Sequence, residues 1–136
     1  MPETRIQTDA QQVRDLLERW ARATRQGQRD AILSGHHPDV LIFDVLPPLL
    51  YEGAAAYQAG WDAWQPQTEA EVVFELKDLG VAATQDLAFA SGLIKCGGTL
   101  AGGEQFEDLV RATFCLQKSE GRWLVVHQHV SKPMGG

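Results

Sequence analysis

Long apolar runs are missing from this sequence. No uninterrupted stretch approaches the roughly 20 residues that span a bilayer, and the amino terminus from Met1 to about Gln12 is polar, without the apolar core of a signal peptide. A cytoplasmic protein with no membrane contact is the expectation. Cysteine is scarce too: Cys96 and Cys115 both fall inside strand-like patterns, where a thiol is usually a small buried hydrophobe, and a reducing compartment argues against a disulfide. Basic clusters are absent, with 12 Lys and Arg against 18 Asp and Glu. Nucleic-acid affinity depends on clustered cations, so no nucleic-acid partner is expected. No linker, internal repeat or low-complexity segment divides the chain. The 136 residues, 44 % hydrophobic and 22 % charged, have the size and composition of one globular domain over 1–136 that closes without disulfides or metals.

The first half reads as helices. Thr8 followed by Gln11 suits a capping box, and Val13, Leu16, Leu17, Trp20 and Ala21 recur on one helical face until Gly27. Asp30 is placed to cap a short second helix through Ile32 and Leu33 that stops before Pro38. Val40 to Val45 reads as a strand ended by Pro47 and Pro48, and Tyr57, Trp61 and Trp64 mark a third helix from about Ala54 to Trp64, closed by Pro66. The second half changes character. Val72 to Ala83, Leu87 to Cys96, Gln105 to Lys118 and Arg122 to Ser131 are strand-like runs, with turns at Gln85-Asp86, Gly97 to Gly103 and Ser119-Glu120-Gly121. Helices followed by a meander of strands predict an α+β fold, helices packed on one face of a curved antiparallel sheet.

The last strand carries the most chemistry. At period two, Trp123, Val125, His127, His129 and Ser131 share one face and Leu124, Val126, Gln128 and Val130 the other. Two imidazoles and a hydroxyl beside Trp123 suit neither a solvent face nor a plain core, so this face is read as a pocket wall. Imidazole titrates nearest neutral pH, which fits His127 and His129 as general acid and base; the alternative is a hydrogen-bonded pair that braces the sheet. A His-x-His strand can offer zinc two ligands, but no third stands at a telling spacing, and no metal is expected. His36-His37-Pro38-Asp39 reads as an exposed helix end. Arg111 alternates with Leu109, Thr113 and Cys115, which suggests an inward clamp for an anion or carbonyl, partnered by Asp44, Asp108 or a ligand. A structural ion pair, or an outward Arg on the other face, is the alternative. Glu104, Glu107 and Asp108 read as solvated strand ends. A triad of Ser131, His129 and Asp44 fails because Ser131 shares a strand with its supposed base and has no elbow to expose it.

The order of elements, with Phe43-Asp44-Val45-Leu46-Pro47-Pro48, Tyr51-Glu52-Gly53, Tyr57, Gly121-Arg122-Trp123 and His127-Gln128-His129-Val130-Ser131, resembles the SnoaL-like and ketosteroid-isomerase-like proteins of the nuclear transport factor 2-like superfamily. The resemblance covers about residues 9 to 133. It implies a cone-shaped α+β barrel of the cystatin-like kind, curled round an apolar pocket, plugged by the first helix and paired as a homodimer through the sheet. Asp44 resembles the general-base Asp of ketosteroid isomerase. The oxyanion-holding Tyr and protonated Asp of that enzyme have no match, since Trp20 and the tract Arg111-Ala112-Thr113 stand in their places. Steroid isomerisation by that route therefore lacks two of its parts.

These readings converge on a protein that takes up a small, mostly apolar molecule bearing a carbonyl, hydroxyl or carboxylate. Asp44, His127 and His129 would move protons, and Trp20, Tyr57, Trp61, Arg111 and Ser131 would bind, in cofactor-free isomerisation, cyclisation or dehydration. The rival is a non-catalytic dimeric binding or scaffold domain whose sheet surface does the work.

Overall fold

Thr8 opens the first helix as its spacing from Gln11 predicts, its hydroxyl accepting the Gln11 backbone N–H at 3.1 Å. Only half of the capping box forms, because the Gln11 amide turns forward to Asp15 at 2.9 Å. At the other end Gly27 takes φ 66°, a left-handed conformation that glycine adopts without steric cost, and its N–H caps the carbonyls of Ala23 and Thr24. The computed structural model describes residues 8–64, 72–99 and 102–134. Among these, the helices are α1 (Asp9–Gln26), α2 (Arg29–Ile32) and α3 (Ala54–Trp64). The strands are β1 (His36–Phe43), β2 (Tyr51–Glu52), β3 (Val73–Ala83), β4 (Leu87–Thr99), β5 (Gln105–Ser119) and β6 (Arg122–Ser131).

The α+β architecture is the one expected: N-terminal helices lie on a six-stranded sheet ordered β2-β1-β6-β5-β4-β3. The sheet is antiparallel except at one seam, where β1 runs parallel to β6. That parallel seam is a detail that the expected antiparallel sheet did not include. α1 presents Val13, Leu16, Leu17, Trp20 and Ala21 to the sheet, Val13 and Leu17 with no exposed surface. Each fully buried Val or Leu of this kind contributes about 1.5–3 kcal/mol. Arg14 and Arg25 tie the helix across β3, donating to the carbonyls of Leu79 at 2.8 Å and Phe74 at 3.0 Å. Val110, Ala112, Phe114 and Leu116 of β5 are buried in the same core, and Phe114 stands edge-on to Trp20 with centroids 5.3 Å apart.

Four local expectations are corrected. Asp30 caps nothing; α2 begins one residue after Gln28, which makes no side-chain cap bond. The segment His36-His37-Pro38-Asp39 is the start of β1 and not a helix end, and His36 is buried. β1 then stops at Phe43, so Asp44 stands just beyond the strand rather than within it. Gly97 and Thr99 belong to β4, which is longer than the sequence suggests. A Cβ on Gly97 would lie 2.3 Å from the Phe106 carbonyl oxygen, so only glycine permits the close pairing of β4 and β5 there. Pro66 lies outside the described residues.

Candidate functional site

The face assignment of β6 turns on one residue. Leu116 pairs with Val125 but Cys115 pairs with His127, leaving Val126 as the extra residue of a β-bulge. The bulge breaks the period of two. Trp123 and Val125 face inward before it, Gln128 and Val130 face inward after it, and all four are buried. His127, His129 and Ser131 consequently join the outer face of the sheet, opposite Cys115, Thr113 and Arg111. The expected row of Trp123, Val125, His127, His129 and Ser131 on one face is thereby corrected. Arg111 is exposed on that outer surface, the outward alternative of the two that its pattern allowed. There Phe43 packs edge-on against both imidazoles, at 4.9 Å from His127 and 5.3 Å from His129, and His127 Nδ1 donates to the Leu41 carbonyl at 2.8 Å.

The inner face holds a cavity of about 520 Å³ at the open end of the sheet, between the C-terminal half of α1, α3, the 44–47 loop and the paired ends of β4 and β5. Trp20, Asp44, Tyr57 and Trp61, four of the eight residues read from the sequence, line it; His127, His129, Arg111 and Ser131 do not. A smaller and more polar cavity of about 380 Å³ lies along α1 and α2 and shares Trp20 and Ile32 with it. The larger one has mostly apolar walls and a few polar groups that converge, the usual character of a small-molecule site.

Asp44 is the centre of those polar groups. Its Oδ1 accepts the Val45 N–H at 2.7 Å and its Oδ2 the Tyr57 hydroxyl at 3.3 Å. Burial, reinforced by the Asp44 charge and hydrogen bond, pushes the Tyr57 phenol far above its ordinary range, so it stays a donor. A buried pair stands near Tyr57. The Gln128 side chain is 1 % exposed, and its Oε1 lies 2.8 Å from His36 Nε2. An amide oxygen can only accept, so His36 carries its proton on Nε2. His36 therefore donates to Gln128, and Tyr57 donates to Asp44. Two buried atoms have no hydrogen-bond partner among the described residues, His36 Nδ1 and Trp20 Nε1.

Sequence reasoning missed several neighbours. Asp108, assigned to a solvated strand end, lines the cavity and pairs with Lys132 at 2.9 Å. Its register with Val110, Ala112 and Phe114 was the available signal, since all share the inner parity of β5. Cys96 sits opposite Asp108 on the inner wall, and burial first, then the Asp108 and Asp44 charges, push its thiol up. It is thus held as a thiol and not as a nucleophilic thiolate. Cys115 is on the outer face, and both cysteines are free. Among the described residues no group of three or more His, Cys, Asp and Glu could hold a metal ion, and no helix is long and apolar enough to cross a membrane.

Burial lowers the His36 pKa, against a smaller opposing effect of the Gln128 hydrogen bond. Stability follows with a definite sign. Above the ordinary histidine pKa of about 6.5 neither folded nor unfolded chain holds the proton; below it the unfolded chain takes one that folded His36 refuses, so stability falls by at most about 1.4 kcal/mol per pH unit until the lowered folded pKa is reached. Urea unfolding at pH 7.5, 6.5 and 5.5 should show this loss, and His36→Gln should flatten it.

The sequence profile described as SnoaL-like domain matches residues 13–135. An NTF2-like protein of unknown function from Pseudomonas putida KT2440 is 34 % identical, with TM-score 0.83 over 91 % of this chain and 86 % of that one. A ketosteroid isomerase-like protein from Erwinia carotovora atroseptica SCRI1043 is 17 % identical, with TM-score 0.79 over 94 % and 100 %. An uncharacterized protein with a cystatin-like fold from Caulobacter vibrioides is 16 % identical, with TM-score 0.75 over 89 % and 87 %. The last two likenesses concern the fold alone. No curated protein matches the chain.

Proposed function

The chain belongs to the SnoaL-like family of NTF2-like proteins, and from that premise we propose that its inner cavity takes up a small, mostly apolar molecule carrying a carbonyl or hydroxyl and moves a proton on it without a cofactor. The observation that carries this reading is the Asp44 carboxylate on an apolar cavity wall, fixed by two neutral donors. Asp44 is the general base in this reading, its remaining lone pairs facing the bound molecule. Trp20, Tyr57 and Trp61 line the cavity around the apolar body. Isomerisation, cyclisation and dehydration all need these parts. Steroid isomerisation with a Tyr and a protonated Asp is not proposed. A ligand carboxylate also drops out, because Arg111, on which that expectation rested, is on the opposite face of the sheet.

The outer face supports a second reading, association of two copies through the sheet. Leu87, Phe89 and Leu109 are each more than half exposed there, beside the Phe43, His127 and His129 cluster. Such apolar surface is seldom left bare on a monomer. Pairing is compatible with a working cavity and, without one, amounts to the scaffold alternative. The two free thiols fit the cytoplasmic setting read from the sequence.

A thermal-shift screen of small ketones, phenols, lactones and alcohols tests the cavity. A true ligand at about one hundred times its Kd should add about 2.7 kcal/mol of stability. Silence across the panel favours the scaffold reading.

A further inference from the structure

We propose that the molecule held in the cavity carries a protonated amine, an inference that rests on the pocket reading above and names the charge of its ligand. Among the described residues the charged side chains on the cavity wall are Asp44, Asp108 and Lys132. Lys132 Nζ sits 2.9 Å from Asp108 Oδ2, so these two offset each other. Among the described residues the partners of Asp44 are neutral, the Val45 N–H and the Tyr57 hydroxyl. One negative charge is left over. It lies half-buried beside apolar walls, where a charge is screened less than at an open surface.

The walls next to that charge are aromatic. Tyr51 and Tyr57 stand edge to face with centroids 5.1 Å apart, and Trp20, Trp61, Phe74 and Phe106 line the rest. Ring faces carry negative potential and attract organic cations, most strongly where water is excluded. A carboxylate with an aromatic surround is therefore a receptor for an alkylammonium group on an apolar body. A ligand carboxylate meets the reverse situation, repelled by Asp44 with the cavity's lysine already engaged.

The test is calorimetric titration at low ionic strength and neutral pH with three probes that share one skeleton: naphthalenemethylamine, naphthalenemethanol and naphthalenecarboxylate. The amine should bind about tenfold tighter than the alcohol, and the carboxylate at least about tenfold more weakly than the alcohol. Asp44→Asn should reduce the amine to the alcohol's affinity. Asp108→Asn, which frees Lys132, should move the preference towards the carboxylate, so the assignment does not depend on one variant folding. An amine no better than the alcohol, or a carboxylate as good as the amine, overturns the cation assignment and leaves the pocket reading in place. No binding by any of the three overturns both.

Discussion

Phe114→Ala is expected to cost about 3–5 kcal/mol, the range for emptying a fully buried aromatic site. Phe114 has no exposed surface and lies at the middle of β5, where it supports Trp20 from below while Phe74 holds the same indole from the side at 5.1 Å. Removing the ring leaves a void that α1 cannot close, because Arg14 and Arg25 pin the helix to β3 carbonyls. The loss has a functional side. Trp20 lines the ligand cavity, so its indole should gain freedom, and a bound ligand should recover less stability in the variant than in the parent. Urea unfolding with and without a screening hit measures both effects; a loss under about 1.5 kcal/mol would show that this core is much looser than its burial implies.

Gln128→Met should cost about 1–3 kcal/mol although it nearly preserves shape and volume, the range for one buried polar group left without a partner. The side chain is 1 % exposed, and its Oε1 accepts from His36 Nε2. A thioether does not restore that bond. A second substitution separates this cause from packing. His36→Phe placed on Gln128→Met removes the stranded donor, so the double variant should be more stable than the sum of the single losses. Strict additivity in unfolding experiments would mean that the His36–Gln128 bond carries no coupling.

The fold was legible because its signals are periodic. The α1 stripe, the proline stop after β1 and the alternation of β5 each repeat over several residues, and tertiary packing reinforced them. Asp44 was singled out by the resemblance of its place to that of the general-base Asp of ketosteroid isomerase, and in the structure it continues the inward parity of Val40 and Ile42. What failed was local. A single unpaired residue, Val126, reversed the faces of His127, His129 and Ser131, and nothing in Val125-Val126 marks a bulge, because valine is at home in a regular strand. The burial of His36 was hidden because its partner, Gln128, is 92 residues away and belongs to the parallel seam, a pairing that no hairpin turn announces. Asp108 was misplaced for a different reason. Its charge masks the inward register in the sequence, and its compensation by Lys132 beyond the end of β6 is a tertiary fact.

In the proposed function the binding chemistry lies on the Asp44 side of the sheet and not on the histidine side. The most direct measurement compares Asp44→Asn with His129→Ala, both beside the parent, in thermal shift with whichever screening compound stabilises the protein. Asp44→Asn should lose most of the ligand-induced shift while keeping its fold, and His129→Ala should keep the shift in full. A shift that survives Asp44→Asn and disappears in His129→Ala would contradict the account and move the site to the outer face.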